Sequence, residues 1–592
     1  NIAYTVFLIF LTLFVCSRVG ASNLDSDSDS DLLLNLSDYN YPKPEPQDSD
    51  TYTIAVVGTN DIHGAGFPNE SLDVVNDVEF STGGLEYMSS QIKAIKKDWG
   101  SRMILLDGGD QFQGGMENRL SDGQVITDFY NNLGYNAGTF GNHEFDFGQE
   151  FLKKRISSGN LKYLSANMVD DEGQSISHIF DNTEQTRMFQ IGKVKIGVIG
   201  LTTTETPSST SGDLTNLNFL EYVPIVKKHA KALREQGANA VILMSHVGMK
   251  CPYPDRYHIS VKTKEEIDHT ICKEEGEVGT LLRSLEPGII DGVVGGHKHA
   301  LNKIWINGTP FMSNLNSGRY FNIMYLTFNK STWTVLSEQT KIEGPVPVCK
   351  QVFEKSRFCE LFSDEEDQGE LKYYKFHNRV ITKDYSLSRL YRRWWEKLSP
   401  YKTPFATTKT FLERNKTKDF VLGNFFTDCI AETTGSDFGV LNSGGFRAIW
   451  GPGPIDDYKF FNMFPFENDI VTTTVTGADF KRIVSEVQVV DDIFSWSGVR
   501  NFMTIDGDHR EVTKVTMMDG SEIEDEKEYK LVSIHFVIGH YGDGFRVVKD
   551  WWKPELKKEG LQRGMMKECL KRQEVLTKET AMSPLRTVFD RK

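Results

Sequence analysis

Short apolar runs alternate with longer amphipathic stretches from Tyr52 onward. Runs rich in aliphatic and β-branched residues predict strands, whereas apolar residues that recur every three to four positions predict helices. The predicted strands of the first half are Thr53–Gly58, Met103–Leu106, Gly138–Phe140, Lys195–Leu201, Ala240–Met244 and Ile289–Val294. Helical patterns such as Leu85–Trp99 and Tyr222–Gln236 lie between them. This alternation is typical of an α/β layered domain.

A second, smaller α/β pattern occupies the last third of the chain. Its predicted elements are a helix at Asp419–Thr434, a strand at Phe438–Leu441, a helix at Gly477–Val487 and a strand at Tyr529–Ile538. The chain has 592 residues, which is too many for one hydrophobic core. We therefore predict a first domain over residues 51–344, a connecting segment over 345–405 that contains a basic, aromatic helix pattern, and a second domain over 406–592.

The N-terminal residues differ from both patterns. The apolar run Ile2–Cys16, followed by Val19 and Ala21 at the positions read by signal peptidase, predicts a signal peptide over residues 1–21; a tilted membrane anchor is the alternative. Residues 22–50 are polar and acidic, which predicts a disordered spacer. The C-terminal residues are charged, so we expect no lipid-anchor signal and no stable membrane anchor. The expected location is extracellular, with the lumen of an endomembrane compartment as the alternative.

Composition and cysteine content limit the possible functions. The net charge of −15 argues against a surface built to bind a nucleic acid polymer, but it does not exclude a nucleotide substrate at a metal site. Six cysteines remain once a leader is removed, and sequons for N-glycosylation are present, both as expected for an exported chain. Short loops favour disulfides Cys251–Cys272 and Cys349–Cys359, which leaves Cys429 with Cys569. The sequence leaves the oligomeric state open.

The polar residues that follow the predicted strands carry the candidate chemistry. In an open α/β sheet, the loops at the carboxyl ends of the strands meet in one crevice. Five strand ends would bring together Asp61, His63, Asp110, Asn142, His143, Asp146, His246, His297 and His299. Carboxylate, amide oxygen and imidazole groups are the ligands that hard and borderline divalent ions prefer. The pattern therefore predicts a two-metal site, in which the Asp110 carboxylate is the natural bridge between the ions.

These segments resemble the motifs of the calcineurin-like metallophosphatases and, in their longer form, those of the 5′-nucleotidase family. The matching segments of the first domain are Asp61-Ile62-His63, Gly109-Asp110, Gly141-Asn142-His143-Glu144-Phe145-Asp146 and Gly295-Gly296-His297-Lys298-His299. Those of the second domain are Leu422-Gly423-Asn424, Asn442-Ser443-Gly444-Gly445-Phe446-Arg447, Pro465-Phe466 and Gly542-Asp543-Gly544-Phe545. The resemblance implies a four-layer α/β-β-α metallophosphatase domain, followed by a smaller α/β nucleotide-binding domain.

The resemblance also implies a role for each residue of the first domain. One metal would be held by Asp61, His63, Asp110 and His299, and the other by Asp110, Asn142, His246 and His297. His143 would act on the transferring phosphoryl group or the leaving oxygen, and Asp146 would orient it. Zinc is the expected metal, with manganese or cobalt as alternatives. The site would then be the catalytic centre of a phosphohydrolase in which two divalent ions activate water.

In the second domain the resemblance implies the residues that bind a nucleotide. Arg447 would clamp a phosphate, Asn442 would contact the base, Phe466 would stack on the base, and Asp543 would accept hydrogen bonds from the ribose hydroxyls. Where the family offers phosphate-binding arginines, this chain has Arg414, Lys416 and Lys418. Lys416 is the predicted phosphate contact, and a lysine cannot bind phosphate with two parallel hydrogen bonds.

Two further positions depart from the family pattern. Ala65 replaces an arginine that some members carry beside the first metal motif. The second aromatic ring that would stack on the base falls near Phe536 or Val537, and Val537 fits the spacing better. If Val537 is the equivalent residue, the base is stacked on one side only.

The predicted function is a secreted, metal-dependent hydrolase that releases phosphate from nucleoside 5′-monophosphates. Apyrase-like hydrolysis of ADP and ATP and hydrolysis of UDP-sugars use the same fold, so the sequence leaves these alternatives open. A cyclic-nucleotide or phosphodiester hydrolase is a further alternative. A catalytically inactive nucleotide-binding protein is less favoured, because every ligand position is filled.

Overall fold

A computed structural model describes residues 33–34, 42–73, 78–210, 212–249, 276–360, 368–410, 412, 421–448, 450–488, 494–506, 509–577 and 586–591. The predicted signal peptide and most of the predicted acidic spacer lie outside these residues. Cys251, Cys272 and Lys416 lie outside them as well, together with the disulfide and the phosphate contact predicted there. Within the described part of the chain, no helix has the length and apolar character needed to cross a membrane.

Two β-sheets packed face to face form the centre of the N-terminal domain. Their strands are β1 Thr51–Thr59, β2 Met103–Asp107, β3 Ala137–Thr139, β4 Tyr163–Leu164, β5 Thr183–Glu184, β6 Thr186–Ile191, β7 Val194–Thr202, β8 Ala240–His246, β9 Gly292–Val294, β10 Asn302–Ile306, β11 Thr309–Ser313, β12 Tyr320–Asn329 and β13 Lys341–Pro347. The first sheet has the order β13-β12-β1-β2-β3-β4-β5, and the second has the order β6-β7-β8-β9-β11-β10. Strands β1 to β5 are mutually parallel, as are β7, β8, β9 and β11.

The central strands are buried on both faces. In β1, Ile54 and Val56 belong to the apolar layer between the two sheets, whereas Ala55 and Val57 pack on the helical side. All four side chains are fully buried. A strand covered on both faces has a continuous apolar run in place of an alternating one, which is the pattern that the sequence shows here.

Helices cover the outer face of each sheet. The helices of the chain are α1 Leu85–Trp99, α2 Met116–Leu120, α3 Gln124–Leu133, α4 Gln149–Ser158, α5 Thr206–Ser209, α6 Tyr222–Glu235, α7 Glu277–Arg283, α8 Tyr385–Leu398, α9 Val421–Thr434, α10 Asp457–Met463, α11 Gly477–Val487, α12 His535–Ile538 and α13 Gln562–Gln573. Helices α1 and α3 pack on the first sheet and α8 packs against them, whereas α6 and α7 pack on the second sheet. The N-terminal domain is therefore a four-layer α/β-β-α sandwich, which confirms the predicted fold class.

The segment predicted to connect the domains packs against the N-terminal domain as far as Leu398. Its short strands are Gln351–Phe353, Leu371–Phe376 and Arg379–Val380. The Cys349–Cys359 disulfide lies next to these strands, as predicted. On α8, Leu387, Tyr391 and Leu398 are buried in the same apolar cluster as α1 and α3. The aromatic helix pattern of this segment is thus a packing pattern.

A five-stranded sheet forms the centre of the C-terminal domain. Its strands are β14 Phe438–Asn442, β15 Asp469–Thr476, β16 Phe494–Ser497, β17 Glu528–Ile534 and β18 Lys557–Leu561, in the order β16-β14-β17-β15-β18. The Cys429–Cys569 disulfide joins α9 to α13, as predicted. The prediction of one strand over Tyr529–Ile538 is wrong beyond Ile534, where α12 begins. A short apolar run fits a buried helix as well as a buried strand, so periodicity could not separate them.

Shorter elements complete the structure. The remaining strands are Leu33–Leu34, Asn69–Asp73, Val78–Thr82, Met168–Val169, Asn218–Phe219, Pro404–Thr408, Gly453–Asp456, Val499–Asp506, His509–Met517, Val575–Leu576 and Thr587–Arg591. The 3-10 helices are Gly100–Arg102, His143–Phe145, Ile176–His178, Ser337–Gln339, Ser399–Lys402, Ser443–Gly445 and Asp543–Val548. Three of these 3-10 helices, at 143–145, 443–445 and 543–548, contain or directly follow residues of the predicted site.

Candidate metal centre

The carboxyl ends of β1, β2, β3, β8 and β9 meet at one edge of the two sheets. Backbone hydrogen bonds tie the first two of the following loops together, since Asp61 N donates to Gly109 O and His63 N donates to Asp110 O, each at 2.9 Å. A Cβ atom at Gly109 would lie 2.7 Å from the backbone nitrogen of Gly141. Only glycine therefore lets the loops after β2 and β3 approach this closely.

Five of the seven predicted ligands have a left-handed backbone conformation. They are Asp61 (φ 51°), His63 (φ 50°), Asp110 (φ 56°), His297 (φ 75°) and His299 (φ 48°). For a residue with a Cβ atom, this conformation costs about 1–2 kcal/mol. Strained backbone of this kind persists only where the surrounding structure imposes it, and it is concentrated at functional sites. Here it accompanies the convergence of side chains from separate loops.

The first group of acceptors consists of Asp61, His63, Asp110 and His299, whose ligand atoms all lie within 4.8 Å of one another. His63 Nε2 lies 3.0 Å from His299 Nε2 and 3.5 Å from Asp110 Oδ2. The other ring nitrogen of His63, Nδ1, lies 3.0 Å from the carbonyl oxygen of Gln113, so it carries the proton. Burial and the Arg447 guanidinium hold the pKa of His63 well below its usual range, which favours the neutral imidazole that a metal requires.

The second group is formed by Asp110, Asn142, His246 and His297. His246 Nε2 lies 3.1 Å from Asp110 Oδ2 and 3.1 Å from Asn142 Oδ1, and His297 Nδ1 lies 3.0 Å from Asn142 Oδ1. The Nδ1 atom of His246 is 2.7 Å from the carbonyl oxygen of Gly108, so in the neutral form of this ring the lone pair is on Nε2 and faces this group. Burial lowers the pKa of His297 to about 4, which keeps this ring neutral as well.

One oxygen atom, Asp110 Oδ2, belongs to both groups. Burial opposes ionisation of this carboxyl group, but the adjacent imidazoles of His246 and His143 outweigh it and hold the pKa of Asp110 well below its usual range. Burial also lowers the pKa of His246, yet the Asp110 carboxylate raises it to about 10. Together, the two pKa shifts show that the ionised Asp110 carboxylate stabilises positively charged groups around it. Nitrogen and oxygen acceptors that face one another around a shared carboxylate fit two divalent cations.

His143 lies beside this centre, at the start of a 3-10 helix that follows β3. Its Nδ1 atom is 2.8 Å from Asp146 Oδ2, and Asp146 Oδ1 accepts a hydrogen bond from Thr210 Oγ1 at 2.5 Å. Burial lowers the pKa of His143, but the carboxylates of Asp146 and Asp110 outweigh it, so the pKa lies above its usual value. The imidazole is therefore held in an orientation and a protonation state suited to proton donation.

The buried carboxylate of Glu144 holds two of the ligand loops in place. It accepts backbone hydrogen bonds from Asp110 at 2.8 Å, Gln111 at 2.6 Å and Gly141 at 2.5 Å. Its side chain is fully buried. Because Asp110 and Asn142 are adjacent to these amides, Glu144 fixes the separation of two predicted ligands without facing the metals itself.

The C-terminal domain contributes side chains to the same place. Arg447 Nη2 lies 2.9 Å from His63 Nε2, and the ring of Phe466 lies 5.6 Å from the ring of His143. The Arg447 guanidinium also lies over the Phe466 ring, at 5.5 Å. Two residues predicted to bind the nucleotide are therefore next to the predicted metal ligands and the predicted catalytic histidine.

Both halves of the chain match known protein families. Residues 54–301 match the calcineurin-like phosphoesterases, and residues 403–550 match the 5′-nucleotidase C-terminal domain. The two domains follow one another in the order that the motifs predicted. The chain belongs to the 5′-nucleotidase family. Its calcineurin-like domain makes it a phosphoric ester hydrolase, and the family and the acceptor cluster together support a divalent metal cofactor.

Relatives in the family differ in how much of the chain they match. An apyrase from Tabanus yao is 23% identical over 557 residues, which cover 84% of this chain and 87% of the apyrase. A snake venom 5′-nucleotidase from Gloydius brevicauda is 30% identical over 272 residues, which cover 45% of this chain and 40% of the venom protein. A 5′-nucleotidase precursor from Thermus thermophilus superposes with a TM-score of 0.71 at 20% identity, over 91% of this chain and 99% of that protein. The last similarity extends over both domains and confirms the two-domain fold.

The structure corrects one departure from the family pattern. Val537 is fully buried in the core of the C-terminal domain, so it cannot stack on a base, and the preference for this residue is wrong. Phe536 is half-buried and lies against Gly542, where an added Cβ atom would be 2.4 Å from its ring. Spacing alone misjudged this position, because both residues lie in α12, which begins at His535, and not in a continuation of β17.

Asn442 and Asp543, two further residues predicted to bind the nucleotide, lie in the C-terminal domain. Asn442 ends β14 and is 4% exposed, five positions before Arg447. Asp543 begins a 3-10 helix, and its side chain is not among those described. Their predicted contacts with a base and a ribose stay predictions.

Sequence reasoning missed three residues that support the site, namely Gln113, Thr210 and Glu205. Gln113 fixes the tautomer of His63, Thr210 bonds to Asp146, and Glu205 lies next to His297. A signal was present for Glu205. β7 is parallel to β8 and also ends at this edge, but its polar continuation, residues 203–206, is absent from the predicted set.

Replacing Glu144 by Gln should weaken metal binding about 10- to 100-fold, as is typical for residues that support metal ligands. In Gln, an NH₂ group replaces one of the two carboxylate oxygens that accept hydrogen bonds from the backbone amides. Donors would then face donors, so the loops carrying Asp110 and Asn142 would move apart. Competition with a chelator, followed by elemental analysis, measures this effect. Glu150→Gln on the exposed surface of α4 is the matched control. Wild-type metal affinity in Glu144→Gln would contradict the supporting role.

Proposed function

We propose that this chain is a metal-dependent nucleotide phosphohydrolase that releases phosphate from nucleoside 5′-monophosphates. The contact between the two domains carries the proposal, because Phe466 lies within 5.6 Å of His143. If Phe466 stacks on the base, the base is held close to His143, which acts at the phosphorus atom. This arrangement favours a substrate in which the base and the attacked phosphorus are joined by a short link. One phosphate provides such a link, whereas a di- or triphosphate attacked at its end requires a longer one.

His143 and Arg447 carry the chemistry that the protein supplies. The protonated imidazole of His143, oriented by Asp146, donates a proton to the leaving ribose oxygen or stabilises charge on the phosphoryl group. The Arg447 guanidinium holds the phosphate with its planar donors. Asn442 and Asp543 contact the base and the ribose. Divalent ions held by the two acceptor groups supply Lewis-acid stabilisation of the phosphoryl oxygens and lower the pKa of water.

The proposal includes zinc as the metal and an extracellular location. Four histidines and three oxygen ligands form a borderline donor set that suits zinc, with manganese or cobalt as alternatives. The Cys349–Cys359 and Cys429–Cys569 disulfides support an oxidising compartment.

Hydrolysis of ADP and ATP is the second candidate function. The observation that favours it is the similarity to the Tabanus yao apyrase, which extends over 84% of this chain. Both functions use the same metal centre, so they differ in where the C-terminal domain holds the base relative to the metals.

Phosphate release from AMP, ADP, ATP, UDP-glucose and cyclic AMP tests the proposal directly. We expect AMP to be hydrolysed with the highest kcat/KM, and we expect a chelator to abolish activity with all substrates. Faster release from ADP or ATP than from AMP would establish the apyrase function instead. Elemental analysis of the same preparations reports the metal, and an active preparation without metal would contradict a metal-dependent mechanism.

Replacing His143 by Ala should lower kcat by about 10²- to 10⁴-fold while metal content and thermal stability stay unchanged. Asp146→Asn should cost less, because Asp146 acts through His143. His178→Ala, at a histidine that is 53% exposed and pairs with Asp170 and Ser175 instead of a residue of the site, is the control. Near wild-type turnover by His143→Ala would show that the catalytic assignment is wrong.

Replacing Phe466 by Ala should raise KM for AMP about 10-fold, since stacking on an aromatic ring contributes about 1–3 kcal/mol per base. The same variant should hydrolyse p-nitrophenyl phosphate with nearly unchanged KM, because this substrate has no purine. Steady-state kinetics with the two substrates separate the effects. Equal losses on both would indicate that Phe466 supports His143 and does not bind the base.

A further inference from the structure

Glu205 links a predicted metal ligand to the surface of the protein. It lies just after β7 and directly before α5. Its Oε2 atom is 3.0 Å from His297 Nε2 and 2.6 Å from Lys298 Nζ. The Glu205 side chain is 35% exposed, whereas that of His297 is 9% exposed, so the carboxylate reaches inward to the imidazole.

The two nitrogens of His297 face different partners. Nδ1 lies 3.0 Å from Asn142 Oδ1, within the second group of metal-facing acceptors, while Nε2 faces Glu205. A neutral imidazole carries one proton, and the nitrogen that bonds to a carboxylate is the one that keeps it. Glu205 therefore places the proton on Nε2 and leaves the lone pair of Nδ1 directed at the position of the second ion.

A neighbouring carboxylate holds the loop that carries Glu205. Glu277, at the start of α7, accepts hydrogen bonds from Thr203 Oγ1 at 2.9 Å and from the Tyr222 hydroxyl. Thr203 Oγ1 in turn accepts from the backbone nitrogen of Glu205 at 3.1 Å. The position of the Glu205 backbone thus depends on this buried network, and the direction of its side chain depends on Lys298.

Glu205, Glu277 and His297 are close enough together to hold a metal ion of their own. The donors around them argue against this use. Lys298 already provides a positive charge to Glu205, and hydroxyl groups already donate to Glu277. The Nδ1 atom of His297 is directed at the second acceptor group, so the hydrogen-bonding role of Nε2 explains the arrangement without a third ion.

We propose that Glu205 is a positioning residue that fixes the tautomer and the ring orientation of His297, with Lys298 directing its carboxylate. This inference rests on the proposed role of His297 as a metal ligand. It predicts that Glu205 controls how tightly the second ion is held, although Glu205 contacts neither the ion nor the substrate.

Zinc retention by the full-length chain tests the proposal. Wild-type protein, Glu205→Ala and Glu205→Gln are loaded with zinc, dialysed against increasing chelator concentrations and analysed for metal content. We expect Glu205→Ala to release one of two ions at about 10- to 100-fold lower chelator concentration. Glu205→Gln should be intermediate, because its amide oxygen still accepts from Nε2. Glu221→Gln, at an exposed carboxylate directly before α6, should match the wild type.

Thermal unfolding with and without chelator separates positioning from general stability. We expect chelator-treated Glu205→Ala to unfold at the wild-type temperature, and zinc to stabilise it less than it stabilises the wild type. Wild-type zinc retention by Glu205→Ala would overturn the proposal, as would an equal loss of stability with and without zinc. Three ions in the wild type and two in Glu205→Ala would establish a third metal site instead. A wild-type chain that retained no zinc would overturn the metal centre itself, and the role of Glu205 with it.

Discussion

Acceptor atoms that face one another within about 3 Å repel unless a proton or a metal cation lies between them, and this constraint governs the structure around Asp110. The Nδ1 atoms of His63 and His246 each face a backbone carbonyl oxygen, so when these rings are neutral their Nε2 lone pairs point at the shared carboxylate. A left-handed backbone at five ligands accompanies this convergence. Both the repulsion between acceptor atoms and the left-handed backbone destabilise the folded chain, and bound divalent cations would offset this destabilisation.

The layered fold explains how such a site can be held. Two sheets buried on both faces provide parallel strand ends whose positions are fixed by apolar packing, and the ligands lie in the loops that follow. A second set of polar groups contacts the predicted ligands or their loops from the side away from the predicted metal positions. Glu144 gathers backbone amides from two loops, Gln113 fixes one imidazole, and Glu205 contacts another. The positions of the predicted ligand side chains thus depend on residues that are not themselves predicted ligands.

Much of this arrangement could be predicted from the sequence, for a physical reason. Parallel strands are continuous apolar runs, so their ends are visible, and the polar residues after them share one edge of the sheet. Pairs of residues that meet only through tertiary contacts could not be predicted from the sequence in this way. Thr210 meets Asp146 across 64 positions with no local pattern that marks the pair. The position of Glu205 after β7 was a signal that it lies at this edge, but no pattern shows that it meets His297 across 92 positions. Val537 was misjudged because an apolar run does not reveal where a strand becomes a helix.

The position of the C-terminal domain is what separates the candidate substrates. The predicted metal ligands and His143 belong to one domain, whereas Arg447 and Phe466 reach them from the other. Met116 N donates to Asn462 Oδ1 at 3.0 Å where α2 meets α10, and Tyr458 of α10 is buried in the apolar cluster of the N-terminal domain. These contacts fix where Arg447 and Phe466 lie relative to the predicted metal ligands, and under the proposed function they would set the distance between base and phosphorus. Under the proposed function, specificity for the number of phosphates would therefore be a property of the domain interface, and changes at α10 would alter it without touching the predicted catalytic histidine.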